Sequence, residues 1–542
     1  MMFNRRWTAL VAIVCSAAIM RAMPALAADA APPIQLVPLP QAGLVDMTQG
    51  LDGAPTKALN WQASFRTRSE LLHNLDLDRG LDPTGEPLYP VPPATTTGQM
   101  LTHADLRLRT DFTLQTAKGG GAVHVRLDWF DNLALGSRPA GPPAAATGQQ
   151  SPTNLATLRR AYGVIALPFG ALALGRMNAH WGLGMVAHGG DGMDTDRGDA
   201  SDRVAFATPL AGHIWAVSYD WSATGPQALR PDRTRTIDLE PSDDVKSLTI
   251  AVLNVRLPPA RERQLRAEKT TVEYGAYAAT RWQNRDVPSS WASAQPPSAL
   301  TSADWVTRGM QVYAGDVWAR AAGPWGHIEV EGLYLTGRFE QISLLAGVQV
   351  TAPVDVRQWS AALQSRFGAA GHGWSFGVDG GAASGDSAAG VASQDPAAKF
   401  AKPGTIAGAQ VDPPRDTLLS EFRMHPDFRV DRILFRELYG AVADAAYFRP
   451  HLRRTWAQFG AGSLYFELAA VQSWALAQAS APGGQRPLGL ELDPTLTYAS
   501  RDGIVAQVQY AALLPQAGLD NPAQGLTARA AQLVRLLLRW EF

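Results

Sequence analysis

Polar and apolar residues alternate along much of this chain. In 59–72, Leu59, Trp61, Ala63, Phe65 and Leu71 share one face of an extended strand. Gln62, Ser64, Arg66, Arg68 and Glu70 share the other. In 101–116, Leu106, Leu108, Phe112 and Leu114 oppose His103, Asp105, Arg107, Arg109 and Asp111. In 122–131, Val123, Val125, Leu127 and Trp129 oppose His124, Arg126 and Asp128. A strand that crosses a bilayer needs about 9–11 residues with alternate side chains facing lipid. The pattern predicts strands near 59–72, 101–116, 122–131, 156–167, 171–179, 202–210, 213–223, 246–257 and 270–283. It predicts nine more near 305–319, 325–339, 354–367, 373–383, 446–457, 463–477, 487–499, 504–513 and 531–542. The predicted fold is all-β: a single transmembrane antiparallel up-and-down barrel of 18 strands, with 16 as the alternative.

The connections test this reading. Bacterial barrels alternate short periplasmic turns with longer outer loops. Connections after even-numbered strands are mostly tiny, such as Pro168 to Gly170, Ala211-Gly212 and Ser500 to Gly503. Those after odd-numbered strands are mostly long and rich in Pro, Gly, Ala and Asp. The segment 258–269 is the one short-side connection that is not tight. Both chain termini then lie in the periplasm.

The last strand carries the most specific signal. Val534, Leu536, Leu538, Trp540 and Phe542 face one way, and Leu533, Arg535, Leu537, Arg539 and Glu541 the other. A terminal phenylalanine after such a strand looks like the recognition signal of outer-membrane barrel assembly. The expected partners are therefore outer-membrane lipid and, through Phe542, the assembly machinery. Trp318, Trp325, Trp374, Trp456 and Trp540 fall near predicted periplasmic ends, where amphipathic rings prefer the membrane–water interface.

Ahead of the strands, Arg5 and Arg6 precede an apolar run from Trp7 to Met20, and Ala25-Leu26-Ala27 forms an A-x-A cleavage pattern. Residues 1–27 read as a secretory signal peptide. The run is too short for a permanent helical span. It contains the only cysteine, Cys15, so the mature chain is expected to have no disulfide. Residues 28–58, with Ala30-Ala31-Pro32-Pro33, read as an extended periplasmic lead-in, and 59–542 as the barrel. A net charge of −1 argues against a general affinity for nucleic acid.

Charge changes the picture inside the barrel. Arginines outnumber lysines 42 to 6, which a GC-rich genome alone can produce. Closing the barrel sets Arg535 and Arg539 beside Arg66 and Arg68, then Arg107 and Arg109, then Arg126. These seven are predicted to form a basic wall facing inward Glu329, Glu331 and Asp379. Rings of arginine favour anions, but a wide barrel must solvate a polar lumen whatever it carries. Both readings stay open. The loop His188–Asp202 carries Asp191, Asp194, Asp196, Asp199 and Asp202. Carboxylates on a Gly-rich loop can hold a hard cation such as Ca²⁺, although the spacing departs from the EF-hand pattern. A loop hydrogen-bonded into the barrel mouth is the competing reading. In the long outer loop 385–444, Val430, Ile433, Leu434, Leu438 and Ala441 recur at helical spacing, which predicts a short amphipathic helix over the rim or inside the lumen. His103, His124, His327 and His451 occupy inward sites, but no motif names a nucleophile, phosphate loop or cofactor site, so no enzyme and no cofactor is expected.

Two stretches carry a family likeness. Arg159-Arg160-Ala161-Tyr162, leading into Gly175-Arg176 and Trp181-Gly182-Leu183-Gly184, resembles the signature of alginate-export-type outer-membrane porins. The run Trp181–Met185, Gly189–Gly192, Gly198-Asp199 and Asp202-Arg203, with Asp427–Arg436 and Tyr447–Pro450, resembles a myxobacterial-type outer-membrane family without an assigned function. The resemblance implies an 18-stranded barrel. With the basic wall it leads to the expectation of a porin-like channel or exporter for polar solutes such as oligosaccharides, with anionic ones as a narrower option. A non-conducting barrel, plugged by 385–444 and serving as adhesin or assembly scaffold, is the alternative.

Overall fold

A computed structural model describes residues 58–81, 85, 87–93, 99–136, 156–256, 258–286, 305–341, 353–368, 373–386 and 417–542. The expected signal peptide, nearly all of the lead-in, and 387–416 of the long outer loop lie outside the described residues.

The chain forms a closed antiparallel barrel of 18 strands. The first seven are β1 (Leu59–His73), β2 (Met100–Gln115), β3 (Gly121–Ala134), β4 (Ala156–Leu167), β5 (Gly170–Asn178), β6 (Ala200–Leu210) and β7 (His213–Trp221). β8 (Gln227–Leu229) and β9 (Thr236–Asp238) form a separate hairpin in the loop that follows. The barrel resumes with β10 (Lys246–Asn254), β11 (Thr271–Asp286), β12 (Val306–Gly323), β13 (Gly326–Phe339), β14 (Val354–Phe367) and β15 (Trp374–Ala383). β16 (Leu418–Leu419) is a two-residue strand laid parallel to β14. β17 (Ala445–Phe459), β18 (Gly462–Ala475), β19 (Pro487–Ser500), β20 (Ile504–Pro515) and β21 (Ala531–Glu541) complete the circuit. β21 pairs with β1 from Ser64↔Glu541 to His73↔Gln532, so no edge strand is left open.

The alternation decides which face meets lipid. On β21, Leu536 is 51% exposed on the outside while its neighbours Arg535 and Leu537 are fully buried within. Leu59, Trp61, Leu174, Val217, Tyr334 and Phe376 also lie on the exposed exterior. An apolar outside around a charged inside is the arrangement of a bacterial outer-membrane barrel. No described helix is long and apolar enough to cross a membrane; the crossing is made by strands.

The slack connection between β10 and β11 is explained by a short helix, α1 (Pro258–Arg266). Proline is favoured in the first turn, where the missing N–H has no helical partner in any case. Arg261 anchors α1 to the barrel through two bonds to Glu273 on β11, at 2.8 and 3.2 Å.

Two expectations fail for reasons of packing. Trp318 is only 4% exposed and points inward, its indole donating to Glu329 at 2.7 Å. It shares the phase of Asp316 and Arg320 and does not join the interfacial belt formed by Trp325, Trp374, Trp456 and Trp540. The amphipathic helix expected in 385–444 is, among the described residues, one wide turn at Leu434–Leu438 closed by i→i+5 bonds from Leu438 and Tyr439. Buried carboxylates replace helical acceptors there: Glu491 accepts from the backbone of Arg432, Ile433 and Leu434, and Asp431 from that of Phe435 and Arg436. The segment 417–444 nevertheless lies inside the barrel. Met424, Phe428, Ile433, Leu434 and Phe435 pack with inward Leu72, Leu333, Val471, Leu513 and Leu533.

Leu536→Arg would place a charge on the lipid face opposite Ser69 and Val508. It should destabilise the barrel by about 2–4 kcal/mol, the cost of arginine near the bilayer midplane. Urea unfolding from lipid vesicles measures this, with Gln532→Arg near the outer end of the same strand expected to cost clearly less.

Candidate functional site

The basic wall is built by strand register. Arg66 lies opposite Arg107 on β2 and Arg539 on β21, and Arg126 opposite Arg160 on β4. Like charges so placed need interleaved acids, and the wall has them. Asp105 receives Arg66 at 3.1 Å and Arg68 at 2.8 Å. Asp128 is held bidentately by Arg109 at 2.6 and 2.8 Å. Asp111 pairs with Arg126, and Glu70 with Arg535. Arg539 stands apart and pairs with Glu541 at 2.9 Å.

Sequence reading missed two members. A bulge in β4, where Arg126/Leu127 pair with Arg160/Leu158, skips Arg159. Both Arg159 and Arg160 consequently reach wall-side acids: Arg159 bonds Asp128 and Asp131, and Arg160 bonds Asp191 at 2.8 Å. The one available signal is that two adjacent arginines cannot both face a lumen in a regular strand.

The loop 179–199, between β5 and β6, folds inward and straps the barrel from side to side. Near its start, the Trp181 indole donates to Asp316 at 2.7 Å and the Leu183 N–H to Glu331 at 2.5 Å, on β12 and β13. Its tip meets the basic wall, on the opposite side of the closed sheet. Asp191 takes Arg126 and Arg160. Asp194 takes Arg68 at 3.1 Å, Arg535 at 3.3 Å and Arg436. Asp196 takes Arg66 at 3.2 Å, Arg68 at 2.9 Å and Arg429 at 3.1 Å. Backbone carbonyls help: Thr195 O accepts from Arg66 and Arg107 at 2.9 and 2.7 Å, and Gly190 O from Arg109 at 2.6 Å. Gly190 sits at φ +69°, and a Cβ there would meet Arg197 O at 2.2 Å, so the close crossing requires glycine.

The acids across the barrel do not simply face the wall. Glu331 and Asp316 hold the strap, Glu329 pairs with Trp318 and Arg320, and Asp379 pairs with Arg449. Segment 417–444 then locks the strap from above. The Asp427 carboxylate accepts from the Asp196 and Arg197 N–H groups at 3.0 and 2.9 Å, while Arg429 and Arg436 add charge. At the junction His188 stacks on His425 with ring centroids 5.6 Å apart, and His180 meets His188 edge-on at 5.2 Å. Burial and His188 push His180 down to about 4, so its ring is neutral at physiological pH. Sequence spacing gave no hint of Arg429 and Arg436, which lie more than 200 residues from their partners.

The five loop aspartates are engaged by side chains and backbone N–H groups, and Asp194 and Asp196 share Arg68 and Arg436. Asp199 meets His425 and the His188 N–H, and Asp202 is held bidentately by Arg176 on the outward phase of β5 and β6. Among the described residues, two acid or histidine groups converge closely enough to share an ion, His188–His425–Asp427 and Asp238–Asp243–Asp244. None of the five aspartates belongs to either. Guanidinium groups occupy the places a cation would take at Asp191, Asp194, Asp196 and Asp202.

Burial works against ionisation of Asp194, but Arg436, Arg535 and Arg68 outweigh it and hold the carboxyl well below the usual range. The same opposition holds Asp196 down beside Arg68, Arg436 and Arg66, and Asp191 beside Arg160 and Arg126.

Beside the strap, at the outer ends of β4–β7, β10 and β11, lies a polar cavity of about 550 Å³. Its lining includes Thr157, Arg159, Asp220, Ser222, Ser247 and Arg281. Asp220 is held by Arg203 at 2.6 Å. Arg281 is exposed and has no ion-pair partner among the described residues.

No protein-family model matches the chain, and no curated protein matches it. In chain trace it is similar to OccK11 (OpdR) of Pseudomonas aeruginosa, with 12% identity over 91% of this chain and 98% of that one and a TM-score of 0.45. It is similar to the outer membrane protein opdK of the same organism, with 10% identity over 89% and 99% and a TM-score of 0.43. It is also similar to a BenF-like porin from Pseudomonas fluorescens, with 10% identity over 89% and 98% and a TM-score of 0.42. None of these three is an alginate exporter or a myxobacterial protein.

Arg535→Gln would remove one of three guanidinium groups from Asp194 and one of two from Glu70. It should cost about 1.5–3 kcal/mol, as for a hydrogen bond to a charged group, read from urea unfolding. For pH, the sign follows from depressed carboxyls: their stabilisation is complete above the unfolded value of about 3.9 and is lost as pH falls through the lower folded values. The Tm difference between the natural chain and Asp194→Asn should therefore stay constant from about pH 8 to 5 and shrink below about pH 4.

Proposed function

We propose that this protein is a passive channel that admits small polar solutes past the strap, with anions favoured. The observation that carries the reading is the polar cavity beside the strap, whose exposed Arg281 is unpaired among the described residues. Its volume of about 550 Å³ suits a small organic solute, since such sites run roughly 300–1,000 Å³. The basic wall has a different role in this reading. Arg66, Arg68, Arg126 and Arg535 are paired with Asp191, Asp194 or Asp196, so they anchor the strap that narrows the lumen, and selectivity falls to cations outside these pairs. The likeness of 159–203 to alginate-export-type porins supports acidic sugars, such as uronic-acid oligosaccharides, as the finer substrate class.

A second reading has its own support. Segment 417–444 fills part of the lumen with an apolar cluster, as expected of a plugged, non-conducting barrel serving as adhesin or scaffold.

Planar-bilayer recording separates the two. Stable single-channel steps from the purified protein are expected, with an anion-favouring reversal potential across a salt gradient. Arg281→Gln should lower the anion-to-cation permeability ratio and leave the barrel's stability unchanged. Silence that is converted to conduction by deleting 385–444 would establish the plug and overturn the open channel.

A further inference from the structure

The loop between β7 and β10 holds a group of carboxylates that the arginines do not reach. Asp238, Asp243 and Asp244 each offer an oxygen, and these oxygens lie within 4.8 Å of one another. None of the three forms an ion pair with lysine or arginine among the described residues. This contrasts with the strap, where guanidinium groups take up its buried carboxylates.

Asp243 is the decisive residue. It is 0% exposed, and neither of its carboxylate oxygens has a hydrogen-bond partner. Its backbone, by contrast, is fixed from both sides. Its carbonyl accepts from Gln283 Nε2 and from Thr224 Oγ1, each at 2.7 Å. The carboxylate is therefore positioned but unpartnered, and it is aimed at the other two acids. Gly225, at φ +70°, makes room for it: a Cβ there would lie 1.9 Å from Asp243 Oδ2. Asp244 is oriented by the Thr224 N–H at 3.1 Å, and Asp238 by the Glu240 N–H at 3.0 Å. Each keeps an oxygen for a further partner.

A buried, unpaired carboxylate is costly, and buried charges are normally paired or coordinate metal. We propose that Asp238, Asp243 and Asp244 bind a calcium ion on the outer rim of the barrel. The donor set is all oxygen, which suits a hard cation and not zinc or copper. Two oxygens on one Ca²⁺, each at about 2.4 Å, lie at most about 4.8 Å apart, the span seen here. The two Asp243 oxygens and one each from Asp238 and Asp244 supply four, and Ca²⁺ takes about 6–8 with water completing the shell. Burial and the nearby Asp238, Asp244, Asp286 and Glu240 push the Asp243 carboxyl up to about 7, the mark of negative charge awaiting compensation. Neighbouring cations are directed elsewhere: Lys246 donates to Pro241 O, and Arg308 faces Asp286 at 3.6 Å. The site is distinct from the Asp-rich strap and from the proposed solute path. It would fix the β8–β9 hairpin beside Ser222 and Val245, which line the outer cavity.

The test uses the full chain refolded in detergent free of lipopolysaccharide, stripped with EDTA and titrated with CaCl₂ in a calorimeter. One saturable site with sub-millimolar to millimolar affinity is expected, the range of extracellular calcium modules. Asp243→Asn and Asp238→Asn should each abolish it. Asp232→Asn, at the exposed hairpin tip outside the cluster, should retain it. A second readout is trypsin cleavage at Arg233 and Arg235 in the same hairpin. Calcium at about ten times its dissociation constant should slow cleavage roughly tenfold, because only the ion-free loop opens. The protection should vanish in Asp238→Asn even if Asp243→Asn folds poorly. Absence of saturable binding at millimolar calcium, binding that survives both variants, or cleavage indifferent to calcium would each overturn the proposal.

Discussion

The structure inside this barrel depends on pairing between wall guanidinium groups and strap carboxylates. Arg66, Arg68 and Arg535 are almost wholly buried. Burying such a charge is tolerated only when it is paired and hydrogen-bonded, because desolvation otherwise costs several kcal/mol per ion. Asp194 and Asp196 meet that demand from a loop more than 120 residues away in sequence from Arg68. The strap is thus held where the wall needs negative charge, and the wall is tolerable where the strap supplies it. Neither half would be stable in place without the other.

Backbone polarity imposes the second constraint. Apart from the two residues of β16 that pair with β14, the segment drawn into the lumen must satisfy its N–H groups without a sheet to join. Segment 417–444 does so with side-chain carboxylates: Glu491 and Asp431 cap its wide turn. Asp427 caps the strap in the same way. Acidic residues therefore act twice in this interior, once against arginine and once against backbone. That explains how a lumen can hold many carboxylates beside an apolar cluster of Met424, Ile433 and Phe435.

The distribution of arginine separates two kinds of acidic loop. On the strap, guanidinium groups converge from the wall and from 429–436. On the rim loop at 238–244, none converges, and Asp243 is left buried with both oxygens unpartnered. Both loops are rich in aspartate. Their chemistry differs because one reaches the basic wall and the other folds back on β10 and β11, where Gln283 and Thr224 bond the Asp243 carbonyl and leave its carboxylate unpartnered.

Local pattern determined a great deal. Period-two alternation and the parity of short and long connections are properties of contiguous residues, and lipid outside with water inside assigns the faces. The strand number, its closure through β1 and β21 and the inward direction of Arg66, Arg107 and Arg535 follow from that. Departures from regular alternation were not legible. The bulge that turns Arg159 inward and the burial of Trp318 against Glu329 depend on neighbouring strands. The spacing of Val430, Ile433 and Leu434 correctly marked buried positions but wrongly suggested a helix, because enclosure by the barrel buries residues on every side. Tertiary structure alone decided which loops enter the lumen and which carboxylate meets which arginine. Such pairings join residues hundreds of positions apart, and their energies come from shared burial, which no local spacing encodes.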